Sequence, residues 1–166
     1  MNWDAERDRL LAELERRGMG QVDTDAIVGP FEGWPSGDAC RCFVACTEAD
    51  GEQLIELLGH ETDRLVVKLL IFATHAVPEP IFEATVRAGV LTQNPSFNKH
   101  FIWPCALLYG VPRVLETIAA LESREEIDGA KARYWLTMPV DDMVFPDERG
   151  FAERRAKLIR QMKPPL

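Results

Sequence analysis

RLVVKLLIFATHAVPEPIFEATVRAGVL, residues 64–91, and FNKHFIWPCALLYGVPRVLETIAALE, residues 97–122, share one grammar. Each runs from an apolar segment into a Val-Pro dipeptide and then into an amphipathic segment. Val77-Pro78 and Val111-Pro112 stand 34 positions apart. A period in the thirties built from paired helices points to stacked helical hairpins. The first half predicts a long helix over Thr62 to Ala76, capped by Thr62 and apolar on every side, hence covered on several sides. Pro80 suits the first turn of the next helix, where its missing N–H costs little. Ile81, Phe82, Thr85, Val86 and Val90 then share a face, with Gly89 as the end. In the second half Leu91 to Asn98 reads as a polar connection, with Ser96 starting a helix. Pro104 predicts a kink or a fresh start. Pro112 opens a helix with Val114, Leu115, Ile118 and Ala119 on one face. The predicted core is Leu69, Leu70, Phe72, Phe82, Val86, Leu107, Leu115 and Ile118.

Outward from this centre the chain stays helical. Asn2 to Arg17 forms a helix capped by Asn2, with acids in its first turn and arginines in its last. Met19 to Gly37 is rich in Gly and Pro and reads as a loop with a short helix at 23–28, tucked down by Phe31 and Trp34. Asp38 to Cys46, capped by Asp38 or Ser36, and Asp50 to Leu58 form the next pair. Ser123, with Glu126 at the capping-box position, starts a helix to Leu136. Residues 137–146 form a loop. Asp147 to Met162 forms a last, basic helix. No stretch alternates at period two for long enough to make a confident strand, and Tyr134 to Val144 is the nearest to one. The fold class is all-α: a short α-solenoid or multi-helix bundle of antiparallel helix pairs. The 166 residues suit one domain. It divides into an N-terminal helix and loop (1–37), a helical-repeat core (38–136) and a loop with the basic C-terminal helix (137–166).

The paired helices, the two Val-Pro turns and the short links of residues 64–122 resemble HEAT or armadillo-type helical repeats. The resemblance extends over residues 38–136, with a degenerate earlier pair and an incomplete later one. The repeats are unequal, and the chain shows no ladder of matching Asp or Arg positions. The resemblance implies a scaffold whose helix face binds other proteins, and it carries over no catalytic residue.

Net charge is −8, with 46% hydrophobic and 28% charged residues. That balance disfavours nucleic-acid and anionic-membrane partners. Before Arg64 the balance is −10, and from Arg64 onward it is +2. An acidic first third suits a basic protein partner or a basic part of the same chain. No apolar run reaches the about 20 residues of a membrane span. The first 18 residues mix acids and bases, unlike a signal peptide. Cys40, Cys42, Cys46 and Cys105 are poorly spaced for a disulfide framework, so reduced thiols and a cytoplasmic location are expected.

Cys40, Cys42 and Cys46 follow C-x-C-x-x-x-C, with Cys105 or a histidine available as a fourth ligand. Zinc usually takes C-x-x-C knuckles, and packing thiols is the simpler account of these cysteines. His60-Glu61 begins H-E-x-x-H, but Arg64 stands where the second histidine belongs. Neither Glu79 with Glu83 nor Asp141 with Asp142 supplies carboxylates facing across a cleft. No phosphate loop or nucleophile elbow is present, and no cofactor is implied. The most unusual stretch is NPSFNKHFIW. There Asn94, Phe97, Asn98, Lys99, His100 and Trp103 interleave polar groups with aromatics in the manner of a recognition loop. Aromatics at helical spacing are more commonly the mark of a core, with the polar residues between them solvated. Two functional readings result. The first is a non-enzymatic protein-binding module, an adaptor or an immunity-type protein with an acidic surface. The second is a small enzyme or metal-dependent sensor using Cys40, Cys42, Cys46 and His100.

Overall fold

A computed structural model describes residues 1–16, 35–125 and 127–143. It is all-helical, with eight α-helices and no strand among the described residues. They are α1 (Trp3–Arg16), α2 (Gly37–Ala45), α3 (Glu48–Gly59), α4 (Arg64–Thr74), α5 (Phe82–Leu91), α6 (Pro95–Tyr109), α7 (Val111–Glu125) and α8 (Ala130–Leu136). Short 3-10 turns at Glu79–Ile81 and Val140–Asp142 precede α5 and follow α8. The expected elements at 23–28 and 147–162, the tucking of Phe31 and Trp34, and Glu126 lie outside the described residues.

Local chemistry sets the boundaries. The Asn2 Oδ1 accepts from Ala5 N at 3.0 Å, and the Ser36 hydroxyl accepts from Ala39 N at 3.1 Å. Thr47 and Asp50 make a reciprocal capping box that starts α3 earlier than expected. Thr62 does not cap α4, which begins at Arg64 after a turn over 60–63. Its C-cap, His75, is left-handed at φ 51. Ser123 lies inside α7 and caps nothing, because α7 continues to Glu125 and α8 starts after Gly129. Pro104 sits inside the continuous helix α6, so no fresh start occurs there.

The helices sort by contact into two rows. In one, α1 touches α3, α3 touches α5, and α5 touches α7. In the other, α2 touches α4, α4 touches α6, and α6 touches α8. Across the rows α3 packs on α4, and α5 packs most extensively on α6. The hairpin therefore forms across the polar break, while α4 and α5 hardly meet. The reason lies in the Val-Pro turn. Pro78 is extended at φ −58, ψ 141. It disfavours a helical residue before it, so 75–78 becomes a spacer rather than a tight turn. By contrast α6 and α7 are joined by Gly110 alone, whose φ of 87 suits glycine.

Two side-chain clasps hold the two Val-Pro turns together. The Tyr109 hydroxyl donates to the Val77 carbonyl at 2.5 Å. Arg113 pairs with Glu79, one repeat period away, and stacks on the Phe82 and Tyr109 rings at 4.4 and 4.8 Å. Further along, Glu83 pairs with Arg124 at 2.6 Å and Arg87 with Glu125 at 2.6 Å.

Six of the eight predicted core residues are buried: Leu69, Leu70, Phe72, Phe82, Val86 and Ile118. Leu107 and Leu115 are only half-buried, because α7 turns Val114, Ile118 and Leu121 inward. Gly89 does not end α5. It lies within the helix, where a Cβ would come within 2.7 Å of Ile102 Cδ1 and 3.3 Å of Phe101 Cβ. Gly89→Leu should therefore force α5 from α6 and cost about 1–3 kcal/mol by overpacking. A denaturation midpoint at or above wild type would show that α6 yields freely.

Candidate binding surfaces

The stretch that interleaves polar groups with aromatics is helical rather than a recognition loop. Pro95 opens α6, and the Asn94 carbonyl accepts from Phe97 N at 3.0 Å and Asn98 N at 3.2 Å. Phe97, Asn98, His100 and Trp103 are buried, Lys99 is half-buried and Asn94 is exposed. The structure thus separates the six residues rather than presenting them on one surface.

The inward residues meet α4. Lys68 is fully buried, with its Nζ 4.1 Å from the Phe97 ring centre and 5.3 Å from that of Phe72. His100 lies edge-on to Phe72 and tilted to Phe97, each 5.4 Å away. Burial, with the positive charges of Lys68 and Lys99, pushes the His100 imidazole down to about 2. It is neutral at any physiological pH and suited neither to proton transfer near neutrality nor to pairing with an anion. His100 Nδ1 and both polar atoms of the Asn98 amide are buried with no hydrogen-bond partner among the described residues. Lys99 covers a different surface. Its Nζ is 5.7 Å from Trp103 and 5.2 Å from Trp135, and Trp103 Nε1 donates to the Trp135 carbonyl at 3.1 Å.

The cysteines do not assemble with His100. Cys40, Cys42 and Cys46 are half-buried on or just after α2, and Cys105 is buried in α6. Among the described residues, no three His, Cys, Asp or Glu side chains are grouped to hold a metal ion. Burial raises the Cys40, Cys46 and Cys105 thiols above their ordinary range. They are protonated and weakly nucleophilic.

Acidic residues fall into two kinds. Most on α1, α5 and α7 are held by arginine: Asp4 and Asp8 by Arg7, Glu6 by Arg9, Glu13 by Arg16, Glu83 by Arg124 and Glu125 by Arg87. Those on the outside of α3 are not. Glu48, Glu52 and Glu56 recur at four-residue spacing, all exposed, with no ion pair to a described residue. Ile55, 43% exposed, sits among them. Sequence reasoning recorded the acidic excess of the first third but not its concentration here. The i, i+4 spacing was the available signal. No family of known proteins matches this chain, and no curated protein and no solved structure is similar to it. No described helix is long and apolar enough to cross a membrane.

Proposed function

We propose that this chain is a non-enzymatic protein-binding module, a scaffold of HEAT-like helix pairs whose partner carries a basic surface. The observation behind the reading is the uncompensated row Glu48, Glu52, Glu56 around exposed Ile55. Carboxylates without internal partners keep their charge for an incoming cation, and an apolar side chain in their midst supplies desolvated contact. The contact of alternate helices and the Glu79–Arg113 pair at the repeat period support the helical-repeat part. A partner steered by such a row binds faster and more tightly at low salt.

Charge reversal tests the reading. The variant Glu48→Lys, Glu52→Lys, Glu56→Lys should fold, because all three side chains are exposed. Partner capture from the native cell, followed by titration with the purified partner, should show binding weakened at least about tenfold by like-charge contact. Unchanged affinity in a variant with wild-type circular dichroism would remove α3 from the interface.

A further inference from the structure

We draw no further inference here: the strongest candidate, the cluster of polar side chains buried along α4 and the first half of α6 (Lys68, Asn98 and His100), has a pH response that rests on the titration of His100 alone, and nothing among the described residues shows a ligand that it would hold.

Discussion

Trp3→Ala should destabilise the protein by about 3–5 kcal/mol, the range for deleting a buried large aromatic. Trp3 is fully buried and meets Phe43 of α2 edge-on at 6.4 Å. Its Nε1 donates to Asp50 Oδ1 of α3 at 2.8 Å. One side chain thus joins three helices, and removing it opens a void that none of them fills alone. It also takes a donor from Asp50. That carboxyl is lowered to about 2, mainly by the Thr47 hydroxyl and then by Trp3 and the Met1 amine, against the opposing effect of burial. In Trp3→Ala the Asp50 carboxyl should therefore titrate closer to the usual carboxylate range. Trp3→Phe separates the two effects, because it retains most of the packing but leaves Asp50 without that donor. Its cost should be about 1–3 kcal/mol. Urea denaturation at neutral pH measures both. A loss below about 1 kcal/mol for Trp3→Ala would mean that the three helices close over the site.

Acid should destabilise the fold well above the range in which carboxylates protonate, and His100 should be the cause. In the folded state its imidazole stays neutral down to about 2, while in the unfolded chain it takes up a proton near its ordinary 6.5. Between those values the unfolded state binds more protons. The stabilisation is complete above 6.5 and is lost as pH falls, by about 1.4 kcal/mol per pH unit. From pH 6.5 to 4.5 the loss should reach about 3 kcal/mol. Asp50, whose depressed value protects it from 3.8 down to about 2, adds its own loss only below that interval. His100→Leu keeps an apolar side chain against Phe72 and Phe97 and should flatten the profile between pH 6.5 and 4.5. A slope that survives the substitution would place the proton uptake elsewhere.

Much of the helical layout was legible because it rests on local chemistry. Asn2 and Ser36 cap helices as their residue types predict, and Gly110 turns the chain at a positive φ that its residue type permits. Three features were not legible. The Thr47–Asp50 capping box uses aspartate where glutamate or glutamine is the usual signal. The pairing of α5 with α6 rather than with α4 depends on how far a Val-Pro turn carries the chain, which periodicity does not record. The burial of Lys68 and His100 needs Phe72 from α4 and Phe97 from α6 to converge, a tertiary event. A lysine four residues after Arg64 in an apolar run was the trace it left in the sequence. For the candidate surface, the sequence placed acidic charge in the first third. Only the positions of the arginines on α1, α5 and α7 distinguished neutralised carboxylates from uncompensated ones.

The clasp at the two Val-Pro turns also bears on how the rows can move. Packed helices have a characteristic way to slide, by one turn of about 5.4 Å, after which ridges settle into the next grooves. Such a shift of α7 along α5 would carry Arg113 off Glu79 and off the faces of Phe82 and Tyr109. It would also strain the hydrogen bond from Tyr109 to Val77 across the Gly110 link. Exposed ion pairs add little to stability, yet here several lie along one seam, with Glu83–Arg124 and Arg87–Glu125 beyond the first. They work as an index, like the teeth of a keyed joint. A one-turn shear along the seam would have to break all three pairs at once.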